Sequence, residues 1–572
     1  MTFTFIGPAF ISAQQPAAPR AGAQDPPPNV AASRNASRRP VRERSAIDAT
    51  GSIERDFAEA LTLVQDNYVD GGKLDYGTIF KSSIIGMLRS LDPHSNFYDR
   101  KEFEELRTDQ RSEYFGIGAS IGSRRTGEQF DTYILATFPN SPAALANLRY
   151  GDRIVEVDGQ SMRSRTSDEV RDRIRGPRGS QVDVLVERAA TGQTEKVLIT
   201  RAAVPQPSVP EAYLVRPGVG YVAMSRGFNY STADELQQAL DKLRAQGMTS
   251  LVLDLRNNPG GFLDQAIRVA DKFLQRGQLI LTQKGRLRSS DRPYRSENAE
   301  PDTTPMVILV NRSTASASEI VAGAMQDHDR ALIIGEPSFG KGLVQSIIPL
   351  EYGSGLTLTS AKYYTPSGRL IQRDYANTGL YDYMIRGYNR LGEEEKVEDK
   401  QKPAGEETRT DTGRVVYGGG GITPDETVKS RLFNPLVEGR LVDPIFGFTR
   451  ELVNGRIAGF NQYLVQRPIE FNHNLEQSDF PVTEELLKAF KAYLAKTPAF
   501  KSFASQMDRY NEFASRQLRF EIITAAYGTD TAVRVLNFDD PQIVRAVESM
   551  PRAKQLSMAA MRGRNPLQKS FE

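Results

Sequence analysis

Between residues 218 and 375, short β-branched apolar runs alternate with segments of helical periodicity, and this alternation leaves few folds open to the chain. YVAMSR, LVLDL, LILTQ and MVILV read as strands. LDQAIRVADKFLQ reads as a helix, as does the segment opened by a capping box at Thr232-x-x-Glu235. In the latter, Leu236, Leu240 and Leu243 mark the buried stripe and Gly247 ends it. Repeated strand-turn-helix units imply a core sheet covered by helices.

The most informative unit is MVILV-NRST followed by ASASEIVAGAMQD, residues 306–327. Ile320, Val321, Ala324 and Met325 recur at helical spacing, so Ser316 stands where the helix begins. The first turn of a helix leaves amides without intrahelical partners and carries positive potential, a setting for an oxyanion, with the Ala317 N–H as natural donor. Serine is also a favoured helix cap, and Ser313 and Ser318 compete with Ser316 as nucleophiles on chemistry alone. Lys341 lies in FGKGLVQ, where Gly340 and Gly342 permit close backbone approach and Phe339, Leu343 and Val344 could desolvate the amine. Desolvation lowers a lysine pKa, and a neutral lysine can take a serine proton.

Two rival chemistries are weak. The chain has three histidines, His94, His328 and His473. Twelve helical residues would put His328 roughly 18 Å from Ser316, while His94 falls in the turn-like LDPHSN and His473 in a remote C-terminal segment. Gly335–Lys341 reads G-x-x-x-x-G-K, but Gly342 stands where a phosphate-binding loop needs Ser or Thr, and the β-rich LVQSIIPL follows instead of a helix.

STASASEIVAGAMQD followed by GEPSFGKGLVQ resembles the signature pair of the C-terminal processing peptidases, the tail-specific proteases, which use a Ser/Lys dyad. The resemblance puts Ser316 at the nucleophile position, Lys341 at the base position and Gln345 where a lysine-orienting glutamine falls. Asp327 matches an aspartate of supporting importance in some members. DLRNNPGG, residues 254–261, reads as a buried strand and its terminal turn and is similar to a second family loop; Gly260 or Gly261 is the expected second oxyanion donor. SLDPHS and GLTLTSAKYYTPSGRLIQ also look like family sequence, the latter expected as an exposed-edge strand lining the substrate groove.

Residues 113–204 read as a small β-rich module with a short helix at SPAALANL and a strand and turn at YGDRIVEVDGQSM, and resemble a PDZ domain. Such a module adds a peptide's last residues as an edge strand and holds their carboxylate on loop amides, here expected from Tyr114, Phe115, Gly116, Ile117, Gly118 and Ala119.

The remaining segments bound the whole. Residues 1–50 combine an apolar start, FTFIGPAFISA, with a Pro/Ala/Arg/Gln-rich linker, and read as a remnant export signal and a disordered tether. Residues 51–112 read as a helical segment, 205–430 as the peptidase core with a charged, mobile insertion at about 389–412, and 431–572 as a helical region for interaction or oligomerisation. With 73 basic against 71 acidic residues and no cysteine, nothing points to nucleic acid, disulfides or thiolate metal sites.

The resemblance, over about residues 50–425, implies a multidomain α+β chain: a ββα-repeat (crotonase-like) core with an inserted PDZ domain. It implies a serine endopeptidase that recognises proteins or peptides by their free C-termini, needs no cofactor or metal, and works in the periplasm or cell envelope. The rival reading is a catalytically silent PDZ adaptor with a degenerate core.

Overall fold

In the computed structural model the described residues are 46–110, 113–126, 129–286, 291–385, 405–431 and 438–564. The expected signal remnant and most of the linker lie outside them. By internal packing the chain divides into two compact units, residues 1–84 and 85–572. In the first, the helix Ala46–Asn67 keeps the apolar side chains of Ile53, Phe57 and Leu63 exposed. No helix among the described residues is long and apolar enough to cross a membrane.

The larger unit is built around a six-stranded sheet. Val219–Ala223, Ser250–Asp254, Met306–Val310, Leu332–Gly335 and Glu426–Thr427 run parallel in that order, with Glu211–Arg216 antiparallel at one edge. The apolar runs become central strands because both faces of such a sheet are covered. One face packs on the helices Thr232–Ala245, Leu263–Asp271 and Ala317–Asp327 through Leu236, Leu240, Val269, Ile320 and Val321. The other face, with Tyr221, Val252, Val307 and Leu309, packs on Ile543, Ala546, Met550 and Ala553 of two C-terminal helices, Pro541–Glu548 and Met550–Arg564. The expected Thr232 capping box does not form: Ser231 stands at the N-cap without a side-chain capping hydrogen bond, and Glu235 instead accepts from the Ser231 hydroxyl and the Val209 N–H.

A second, antiparallel sheet departs from expectation. Gly355–Tyr364 is not an exposed edge: it pairs with Leu343–Pro349, with Leu279–Gly285 and with Asn96–Tyr98. Its alternating pattern, which suits a half-solvated edge, here reflects one face turned to the core. Because Asn96–Tyr98 joins this sheet, the core is assembled from both sides of the intervening module.

That module carries Ala119–Thr126, Gln129–Thr137, Arg153–Val157, Gln181–Glu187 and Thr194–Thr200 in one sheet, with Ala119–Thr126 at its edge. Ile134, Ile154, Val170, Val184 and Ile199 fill its core. Its outer face is partly covered: Tyr133 and Tyr150 pack with Ile445, Phe446 and Phe448 of the helix Glu438–Val453. The C-terminal region therefore covers apolar surface on both the module and the catalytic sheet.

Residues 389–404 of the charged insertion lie outside the described residues, and the rest is not a free loop. Glu407–Arg409 pairs with Val415–Tyr417, and the Asp411 and Thr412 N–H groups donate to Asp327 O (2.9 Å) and Asp329 Oδ2 (2.6 Å). These contacts give the polar residues partners at the end of the helix Ala317–Asp327, so they do not need water.

Candidate active site

The carboxyl ends of the parallel strands deliver three loops to one place. After Met306–Val310 the chain turns through NRSTA and enters the helix at Ser316, whose backbone (φ 55°, ψ −116°) lies in a region that L-residues occupy only when surroundings impose it. The Ser316 side chain makes no capping hydrogen bond. The Glu319 carboxylate accepts from the Ser316 N–H instead (2.8 Å), and Tyr363 Oη donates to Ser316 O (3.1 Å).

Glu319 is completely buried and holds the lysine loop as well. It accepts from Ser338 Oγ, from the Gly340 N–H (2.7 Å) and from the Lys341 N–H (2.9 Å). A single oxygen, Oε2, takes both the Ser316 and the Lys341 amides, so the nucleophile turn and the lysine loop share one anchor. Burial pushes this carboxyl up in pKa, against the opposing pull of its hydrogen bonds. Sequence reasoning missed Glu319, although Ser-x-x-Glu at a helix start was a readable capping-box signal.

Burial holds the Lys341 amine below the ordinary lysine value of 10.5, only partly offset by the negative charges of Glu319 and Asp92. Lys341 Nζ donates to Gln345 Oε1 (3.0 Å), and Gln345 Nε2 donates to the His94 carbonyl (2.5 Å). Among the described residues no hydrogen bond joins the amine to the Ser316 hydroxyl.

The turn-like LDPHSN thus brings His94 against the lysine loop. Asp92 Oδ1 accepts from the His94 and Ser95 N–H groups (2.8 Å each) and Ser95 Oγ accepts from the Thr359 N–H (3.0 Å), which fastens the turn to the second sheet. The His94 ring pairs with Tyr383 Oη (2.8 Å) and stands edge-on to Phe339. Burial, with Lys341 as the next contributor, drives its pKa down to about 3, so the ring is neutral over the working range and unsuited to proton transfer there. His328 lies at the far end of the helix, bound to Asp411 and Leu279 O, and His473 stacks on Tyr527 in the C-terminal region. Asp327 is buried against Arg369 and accepts from the Ser367 N–H (2.9 Å), a brace at that same far end.

The third loop is Asp254–Gly261. A side chain at Gly260 would come within 2.7 Å of Ser316 Cβ and 2.8 Å of Ala317 N, so the missing Cβ leaves open space before the Ala317 amide. The Gly260 N–H donates to Asn258 Oδ1 (2.9 Å) and is committed; of the two glycines expected as donor, Gly261 remains. Asn258 is a second residue that sequence reasoning missed. Fully buried, it also donates through Nδ2 to Met224 O, while its own carbonyl accepts from the Ala315 N–H (2.9 Å) and Ser318 Oγ (3.2 Å).

The loop expected to hold a substrate's tail lies in the inserted module, apart from these three loops. Tyr114, Phe115 and Gly116 pair with Val204, Ala203 and Ala202 in a two-stranded ribbon. Ile117 O accepts from the Ala143 N–H (2.7 Å), and Gly118 (φ +74°) has Ser141 Cβ 2.3 Å from where its own Cβ would be, so only glycine fits. Ala119 then opens the edge strand.

This arrangement, a serine at a strand-turn-helix junction with a buried lysine on the neighbouring loop, in a chain that also carries a small β-rich module, is that of a serine-type protease. Residues 218–378 match peptidase family S41 and residues 136–188 match the PDZ domain. The chain is 38% identical over 324 residues to a carboxy-terminal-processing protease of Bartonella bacilliformis, covering 55% of this chain and 72% of that one. It is 31% identical over 370 residues to the carboxy-terminal processing protease CtpB of Bacillus subtilis, covering 62% and 75%. A solved photosystem II D1 C-terminal processing protease matches at 33% identity over 56% of this chain and 90% of that one, with a TM-score of 0.32. The chain belongs to the carboxy-terminal processing protease family, and is a serine protease with a PDZ domain.

Proposed function

We propose that this protease cleaves peptide bonds by a Ser316/Lys341 dyad after capturing a substrate's C-terminal tail on its PDZ domain. The observation that carries the dyad is Glu319 Oε2 accepting both backbone amides, which holds nucleophile and base at one anchor. Neutral Lys341 takes the Ser316 proton as the hydroxyl oxygen attacks the carbonyl, and Gln345 orients the amine. The Ala317 and Gly261 amides hold the oxyanion. Lys341 then hands the proton to the leaving amine, and a water, deprotonated by the same lysine, releases the acyl group. The tail carboxylate docks on the amides of Gly116–Ala119, where Gly118 and the edge position of Ala119–Thr126 support an added strand.

The crotonase-like ββα reading of the core is supported by two strands, Glu211–Arg216 and Val219–Ala223, followed by the helix Thr232–Ala245, and then by repeated strand-helix pairs. Placement in the cell envelope rests on FTFIGPAFISA; N-terminal sequencing of the protein from fractionated cells tests it.

Ser316→Ala and Lys341→Ala should each lower cleavage of an unfolded polypeptide by roughly a thousandfold or more. Amidating the substrate's C-terminus should raise KM with little change in kcat. Undiminished cleavage by Ser316→Ala ends the dyad proposal; an unchanged KM for the amidated substrate ends tail capture.

A further inference from the structure

The C-terminal region does more than cover the catalytic sheet. Arg256, in the loop that carries Gly261, is held from two sides. From the core, Asp254 accepts from its Nε (3.0 Å) and Nη2 (2.7 Å), and Tyr221 Oη donates to that same carboxylate (2.8 Å). From the C-terminal region, Asp540 Oδ2 and Gln542 Oε1 accept from Arg256 Nη1 (2.9 and 2.8 Å).

Both C-terminal partners are themselves fixed. Asp540 Oδ1 caps the helix Pro541–Glu548 by accepting from the Gln542 and Ile543 amides (2.8 and 3.0 Å). Gln542 is fully buried and donates to Val428 O (2.7 Å). The Arg256 side chain is 12% exposed and Asp540's is 20%, so this ion pair is weakly screened by water. Two residues further on stands Asn258, which grips the Gly260 amide and, through its carbonyl, the segment leading into Ser316.

We propose that Asp540 and Gln542 are positioning residues for catalysis, setting the oxyanion loop through Arg256. The inference rests on the Ser316/Lys341 reading and on Gly261 as donor. Asp254 takes the guanidinium as a fork through Nε and Nη2, while Asp540 and Gln542 share Nη1 and fix its outer end; a displacement of about 1 Å at a reacting centre can cost on the order of a hundredfold in rate.

The test uses the full chain. Asp540→Asn keeps a side-chain oxygen to cap the helix but removes the charge facing Arg256. It should lower kcat by about tenfold or more, with KM within about twofold and a thermal midpoint near that of the wild type. Arg256→Ala should lower kcat in the same sense, and the double variant should lose no more than Arg256→Ala alone. Asp539→Asn, which removes an exposed pair with Arg431 next door, is the control and should leave kcat unchanged. An unchanged kcat in Asp540→Asn, or additive losses in the double variant, overturns the inference. If Ser316→Ala or Lys341→Ala remains active, it is the underlying dyad reading that has failed.

Discussion

On the proposed mechanism a strained serine and a desolvated lysine carry the chemistry, and each has a measurable signature. The reactive form of Lys341 is uncharged, so activity is lost as pH falls through its pKa in the folded enzyme. That pKa is depressed by burial, so kcat/KM should rise with pH along a limb whose midpoint lies below 10.5. A midpoint at or above the free-lysine value would mean the amine is not desolvated in solution. His94 should add no limb near neutrality. Its folded pKa of about 3 lies below the ordinary 6.5, so protonation favours the unfolded chain and stability falls as pH drops from about 6.5 toward 3. His94→Gln should flatten that acid loss in urea midpoints compared at pH 7 and pH 5. Ser316 and Lys341 stood out because each sits in a short motif with its own local signal, and Gln345 only through the family resemblance. Glu319 gave a capping-box signal but no sign of its hold on the lysine loop, and Asn258 and His94 gave none. Their roles depend on partners far along the chain, and no local pattern says that a buried carboxylate will meet a loop 22 residues later or that a turn at 94 will meet Gln345.

Among the elements, the catalytic helix is held at both ends by buried charge. Glu319 fastens its start, and the Asp327–Arg369 pair, with both side chains 1% exposed, fastens its end. Breaking a buried pair leaves a charge without compensation, so Asp327→Ala should destabilise the protein by about 3–5 kcal/mol in denaturant unfolding. Since this end is a helix length from Ser316, kcat measured well below the new thermal midpoint should change little. The helices and the central strands Val219–Ala223, Ser250–Asp254 and Met306–Val310 could be read from periodicity, but the setting of LILTQ, which joins the antiparallel sheet, and of Gly355–Tyr364 could not. A strand solvated on one face and a strand paired on both edges have the same alternation, and only the positions of Asn96–Tyr98 and Leu343–Pro349 distinguish them.

At the scale of the whole molecule, the PDZ domain and the peptidase core are joined through the C-terminal helices as well as through the chain between them. Composition showed amphipathic helix beyond residue 430 but could not say which surface each apolar face would meet. Deleting residues 438–564 uncovers Tyr133 and Tyr150 on one domain and Val252, Val307 and Leu309 on the other. The truncated chain should therefore be recovered as aggregate by size-exclusion chromatography; a monodisperse, active truncation would show that neither face needs its cover.

The clasp on Arg256 also carries a temporal meaning. A ribosome makes the serine, the lysine and the glycine loop long before it reaches Asp540. On the proposed positioning, the growing chain holds every reacting group yet lacks the clasp that aligns them, so a protease still being translated is restrained from cutting its neighbours.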